Sequence, residues 1–199
     1  MRIENQNVLF TSDFHVGHQN ILRFDERPFK DLDEMNQALI NNWNSVISDE
    51  DIVFYLGDLN WGKPDMAKWF VHQLKGKIYY ILGNHDHMRD IVRLDRFEKI
   101  HEYGTEISIL DSDIKRGYQD IILSHYPLYI WNKHHHGSWM LHGHCHGSLL
   151  KKNDPIYNRK IMDVGCNMTD YTPVTYDSIK GNMNKKHIAT LDHHEKEIK

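Results

Sequence analysis

Cysteine is scarce in this chain of 199 residues: Cys145 and Cys166 cannot build a disulfide framework, and a reducing cytoplasm is the expected compartment. No run of about 18 apolar residues occurs, so no helical membrane span is expected. The opening MRIENQNVLF has none of the long apolar character of a secretory signal. Basic charge is not in excess. With 24 Lys and Arg against 28 Asp and Glu, the net charge is −4, which speaks against extended nucleic-acid binding but leaves room for a local basic groove. Internal repeats and low-complexity linkers are missing as well. Histidine is what the chain has in quantity: 16 residues, enough to make metal binding the first chemistry to consider. The remaining composition, 40% hydrophobic and 26% charged, fits one globular domain over residues 1–183 and a polar tail over residues 184–199.

Five short apolar segments end in polar, coordinating residues. Residues 7–12 (NVLFTS) predict a buried strand that opens onto Asp13-Phe14-His15 and then His18. On extended backbone, residues two apart point the same way, so Asp13 and His15 converge while Phe14 packs behind them. Residues 51–56 predict a second strand running into Gly57-Asp58, and residues 77–82 a third running into Gly83-Asn84-His85-Asp86-His87. Helical spacing at Leu32, Met35, Leu39, Ile40, Trp43, Val46 and Ile47, with Asp31 or Asp33 as N-cap, separates the first two strands. A helix beginning at Pro64 separates the second from the third, which implies parallel pairing with right-handed crossovers. Further on, a short helix is expected within residues 90–97. Short strands follow near 106–110, 120–124, 138–141 and 160–164, and a last helix near 175–183. Turn residues between those strands suggest a mostly antiparallel second half. Two of them end in Ser124-His125 and in His142-Gly143-His144-Cys145-His146.

Collected from the strand ends, the set is Asp13, His15, Asp58, Asn84, His125, His144 and His146. Carboxylate, carboxamide and imidazole without thiolate suit Mn²⁺, Fe or Zn²⁺, with Ni²⁺ also possible. These ligands outnumber the needs of one tetrahedral ion and suit two ions about 3.5–4 Å apart. Asp58 is the natural shared carboxylate, because its strand lies between those carrying Asp13 and Asn84.

With SDFHVGH, GDLN, GNHD, SHYP and GHCH in order, residues 7 to about 179 resemble the calcineurin-like metallophosphoesterases, whose motifs are DxH, GD, GNH[DE], a lone His and GHxH. The opening SDFHVGHQNI and the NWN triplet resemble a compact bacterial and phage branch of that superfamily. The resemblance implies a four-layer α/β/β/α sandwich of two mixed sheets. It assigns Asp13, His15, Asp58 and His146 to one divalent ion, and Asp58, Asn84, His125 and His144 to the other, Mn²⁺ being the expected metal. It implies hydrolysis of a phosphate mono- or diester, nucleotide-like in this reading, by metal-activated water with His85 as the general acid. Asp86 is a second catalytic candidate that orients His85, or else a surface residue. The alternatives are a small nuclease on the same centre and a catalytically weak metal-binding module.

One departure narrows the substrate. Trp61 follows GDLN where the Ser/Thr phosphatases of the superfamily carry an Asp-Arg pair, so protein phosphatase activity is not expected. At this length there is no room for the capping domain of DNA-end-processing members, which favours a small phosphate ester, with no membrane partner. Arg23 and Arg27 are either phosphate contacts or solvated loop residues, and His18 and His87 either substrate contacts or supports of the ligands. His134, His135 and His136 read as a solvated loop that could reach substrate, and Cys145 as a residue turned to the core.

Overall fold

The computed structural model of the chain describes residues 1–60 and 64–189. The expectation attached to Trp61, and the tail beyond residue 189, lie outside the described residues. In chain order the elements are β1 (Arg2–Ile3), β2 (Val8–Thr11), α1 (Ile21–Phe24), α2 (Leu32–Val46), β3 (Ile52–Tyr55), α3 (Pro64–Val71), β4 (Lys77–Ile81), α4 (Met88–Val92) and β5 (Lys99–His101). They continue with β6 (Thr105–Leu110), β7 (Tyr118–Leu123), β8 (Trp139–His142), α5 (Ser148–Lys151), β9 (Ile161–Asp163), β10 (Val174–Thr175) and α6 (Tyr176–Met183). Three of the strands, β1, β5 and β10, and the short helices α1 and α5 have no forerunner in the sequence reading. His134–His136 form a 3-10 turn where a loop was expected.

The strands form two five-stranded sheets, ordered β10–β2–β3–β4–β5 and β1–β6–β7–β8–β9. In the first, β2 to β5 pair in parallel and only β10 is antiparallel. Alternation along each strand explains the layering. Leu9, Val53, Tyr55, Ile78 and Tyr80 pack with Met35, Leu39, Trp43 and Phe70 of the helical layer. Their neighbours Val8, Phe10, Ile52, Phe54 and Ile81 join Ile121, Leu123, Trp139 and Leu141 of the second sheet in the core between the sheets. Both faces of the first sheet are thus covered, which is why its strands read as unbroken apolar runs. The outer face of the second sheet carries a smaller cluster, Ile122, Trp131, Met140, Tyr157 and Ile161, built from strand residues, the 124–138 connection and a 3-10 turn.

The second sheet is not mostly antiparallel. Only β6–β7 is, while β1–β6, β7–β8 and β8–β9 are parallel. The parallel arrangement has a consequence for the site: β7 and β8 both end on the edge where β2, β3 and β4 end. Asp31 does cap α2, accepting from Glu34 N at 2.9 Å, and Trp43 anchors the same helix by donating to the Lys75 carbonyl at 2.9 Å. The first residues of the expected tail fold back, with His187 in a bridge to Arg159. No described helix is long and apolar enough to cross a membrane.

Candidate metal centre

The carboxyl ends of β2, β3, β4, β7 and β8 converge, and each delivers ligand-type side chains at the turn that follows it. The turns after β2, β3 and β8 have an unusual backbone in common. Asp13, His15, Asp58, His144 and His146 have φ of 62°, 52°, 58°, 66° and 46°, in the left-handed region that non-glycine residues rarely adopt. Such strain persists only where surrounding structure over-determines it, and it gathers at functional sites. Packing supplies the constraint. Phe14, fully buried, meets Trp43, Tyr55 and Phe70 edge-on at centroid distances of 6.0, 5.1 and 5.9 Å, fixing the turn between Asp13 and His15. Gly83 permits a close approach: a Cβ there would lie 2.1 Å from Asp58 Oδ1.

All seven expected ligands are brought together. Asp13, His15 and His146 form one group with ligand atoms mutually within 4.8 Å, and Asp58, His125 and His144 form another. Asp58 Oδ2 lies 3.8 Å from His15 Nε2 and 3.4 Å from His125 Nε2, so one carboxylate faces both groups. Asn84 Oδ1 sits 2.9 Å from His125 Nε2 and 2.8 Å from His144 Nδ1. His15 Nε2 and His146 Nε2 are 3.2 Å apart, and Asp13 Oδ1 is 3.6 Å from the latter.

This donor set fits divalent cations, and the far sides of the rings support it. His125 Nδ1 donates to the Leu56 carbonyl at 2.7 Å, which leaves the Nε2 lone pair directed at Asp58 and Asn84. His146 Nδ1 donates to Asp25 Oδ2 at 2.6 Å, leaving its Nε2 towards Asp13 and His15. The two clusters could therefore each hold a metal ion. Electrostatics within the protein alone is correspondingly tense. Burial would raise Asp13 and Asp58, but hydrogen bonds and charge from His146 and His125 hold both below the usual carboxylate range. Burial would lower His146, yet the carboxylates of Asp13 and Asp25 beside its ring outweigh that and push it up to about 10. For His15 burial wins over the nearby carboxylates and takes it down to about 4.

The remaining expected residues divide. His85 lies at the rim, its Nε2 3.9 Å from Asp58 Oδ2 and its backbone N–H donating to Asp58 Oδ1 at 2.9 Å. Beside it a cavity of about 340 Å³ is lined by Asn60, Asn84, His85, Asp86, His87 and Asp90. Asp86 does not orient His85 through its carboxylate. Its Oδ2 accepts from Asp58 N, Gly83 N and Tyr80 Oη at 2.8, 2.8 and 2.7 Å, tying the ends of β3 and β4 together. Arg27 is not a substrate contact: it is 4% exposed and its guanidinium donates to the carbonyls of Phe14 and Asp13, each at 2.8 Å, and to Asp25 at 3.1 Å. Arg23 is exposed and lies over the Phe24 ring, while His18 is half-buried with its ring 5.9 Å from that of His15. Cys145 is half-buried, not packed into the core, and burial pushes its thiol up to about 11.

Asp25 and Asp163 were missed by the sequence reading. Asp163, on β9, accepts from Gly147 N and Gly165 N, each at 2.9 Å, and so shapes the turn carrying His144 and His146. Asp25 sits in a polar stretch with no motif around it, and only the fold reveals its contact with His146.

Comparison with known proteins gives relatives without an activity attached. No family model matches the chain. A protein of Methanocaldococcus jannaschii described as uncharacterized protein MJ1445 is 33% identical over 178 residues, spanning 87% of this chain and 89% of its own. The gene 66 protein of Mycobacterium phage D29 is 30% identical over 166 residues, spanning 73% of this chain and 81% of its own. A crystal structure of AQ665 from Aquifex aeolicus, a protein of unknown function, shares the fold with a TM-score of 0.67 at 23% identity, covering 89% of this chain and 99% of the other.

Proposed function

The chain belongs to the family of the Methanocaldococcus jannaschii MJ1445 protein and the mycobacteriophage D29 gene 66 protein, and we propose that it is a metal-dependent phosphoesterase of the calcineurin-like superfamily, acting on a nucleotide-like phosphate mono- or diester. The observation that carries this reading is the Asp58 carboxylate, set between the Asp13–His15–His146 group and the His125–His144 group. One carboxylate facing two imidazole-rich clusters is the arrangement a phosphoryl displacement needs and a single structural ion does not. Two divalent ions, held by Asp13, His15, Asp58 and His146 and by Asp58, Asn84, His125 and His144, would supply an activated water and neutralise charge on the phosphate.

The protein's own groups do the rest. Asp25 and the Leu56 carbonyl fix the tautomers of His146 and His125, so each presents Nε2 inward. Asp86 holds the ends of β3 and β4 in register, which keeps Asp58 and Asn84 at their separation. His85, tethered through its backbone to Asp58 and open to the adjoining cavity, gives its ring proton to the leaving oxygen.

That role is testable because it separates chemistry from coordination. His85→Asn should keep its metal content and fold, and should lose about 10²–10⁴-fold in turnover of an ester with an alkoxide leaving group. A nitrophenyl ester, whose leaving group departs without a proton, should be affected far less. Equal losses on both esters would remove His85 as the acid, and loss of metal would make it a ligand.

A further inference from the structure

The connection that follows β7 opens with Ser124 and His125 and then exposes large apolar side chains: Tyr126 at 48%, Tyr129 at 67% and Ile130 at 49%. Exposure of this kind scattered over a surface needs no explanation, but here it is concentrated in one segment that contains a candidate ligand. Tyr126 is the residue in contact with the centre. Its ring lies against that of His144 at a centroid distance of 4.5 Å and against that of His125 at 5.2 Å. The ring meets the two imidazoles at interplanar angles of 59° and 74°, and about half of the residue stays exposed.

The segment is also held in place from beneath. Arg159, 8% exposed, donates from Nη2 to the Tyr129 carbonyl at 2.6 Å. Its guanidinium lies over the rings of Tyr129 and Trp131, 5.2 and 4.7 Å from their centroids. Trp131 is itself buried and donates from Nε1 to the Ser138 carbonyl at 3.1 Å. A surface fixed in this way loses little freedom when a ligand settles on it.

We propose that Tyr126 is a stacking platform for the planar base of the substrate, which makes the substrate a nucleoside phosphate in preference to a sugar, glycerol or alkyl phosphate. The inference rests on the phosphoesterase reading. A phosphate engaged at Asn84 and His144 is one sugar away from its base, and Tyr126 is the aromatic ring packed on His144. Stacking suits the protein's net charge of −4, because a π-face attracts a base without demanding a basic groove. It is also tolerant of base identity, so little discrimination among the four bases is expected.

The test compares wild type, Tyr126→Ala and Tyr126→Trp, each loaded with Mn²⁺, in calorimetric binding of inorganic phosphate, n-butyl phosphate, AMP and adenosine. In wild type AMP should bind more tightly than phosphate. Tyr126→Ala should lower the AMP-to-phosphate affinity ratio by about 5- to 150-fold, while Tyr126→Trp should retain it. A ratio that does not move overturns the platform, and so does a gain for butyl phosphate equal to that for AMP, which would mark a generic apolar surface. A change of oligomeric state in Tyr126→Ala with the ratio intact would assign the segment to contact between protein copies instead. Failure of the phosphoesterase reading looks different: no probe carrying phosphate binds, and adenosine decides. Adenosine binding that disappears in Tyr126→Ala would leave the platform standing alone, and no adenosine binding would overturn it too.

Discussion

Asp25 illustrates what a single side chain can do outside the ligand set. It touches His146 across 121 positions of sequence and is itself held by Arg27, so it fixes both the tautomer and the direction of a candidate ligand. Asp25→Asn keeps the volume but weakens that hold, and should cost about 10–100-fold in Mn²⁺ affinity by calorimetry. Unchanged affinity would mean that His146 is oriented by its own backbone turn. The proton on His146 gives a second measurement. Its folded value of about 10 stands above the ordinary 6.5, so in chelator-treated protein its contribution to stability is fully present below 6.5 and is lost as pH rises through about 10. Urea midpoints of chelated protein should therefore fall over that window. Mn²⁺ affinity should climb over the same window, because the incoming ion must displace the proton. An affinity that levels off at neutral pH would show that His146 does not take part.

At the scale of strands and turns, the centre depends on backbone positions that only certain residues tolerate. A Cβ at Gly83 would meet Asp58 Oδ1 at 2.1 Å and the backbone Asp58 N at 2.5 Å. Gly83→Ala should cost about 1–3 kcal/mol of stability as an overpacked site, and should lower metal content because Asp58 is what has to move. Asp31→Ala is the comparison: loss of the α2 cap should cost about 1 kcal/mol and leave metal content alone. If the two variants lose stability equally and neither loses metal, the Gly83–Asp58 approach does not position the site. The ligand turns were legible in the sequence because each follows an apolar run, and a buried parallel strand leaves that trace. Strand direction in the second half was not legible. Residues 124–138 return the chain to the start of β8 through an irregular connection with a 3-10 turn, which reads like the loop of an antiparallel pair. Asp25, Asp163 and the Tyr80–Asp86 tie were invisible for a different reason: their partners are set by the fold, and a lone carboxylate carries no periodicity that names its partner.

Taken whole, the molecule is two sheets that share an apolar core and meet again at one edge over charged ligands. The core between them, with Phe10, Phe54, Leu123, Trp139 and Leu141 fully or almost fully buried, is complete without any ion. Asp13, Asp58 and Asn84 come from the first sheet, and His125, His144 and His146 from the second, so bound metal would link the sheets a second time. Chelation should consequently lower the melting temperature without abolishing cooperative unfolding, and Mn²⁺ should restore it. Collapse of the fold on chelation would make the ions structural and weaken the case for catalysis. Asp58→Ala probes the same link from the protein side. Because Asp58 faces both clusters, its loss should reduce occupancy at both, taking metal content from about two per chain to well below one at limiting Mn²⁺. His144→Ala, which removes a ligand from one cluster alone, should leave the other filled. If Asp58→Ala behaves like His144→Ala and retains one tightly bound ion, the carboxylate is not shared, the two sheets hold independent sites, and a single-ion mechanism becomes the reading to test.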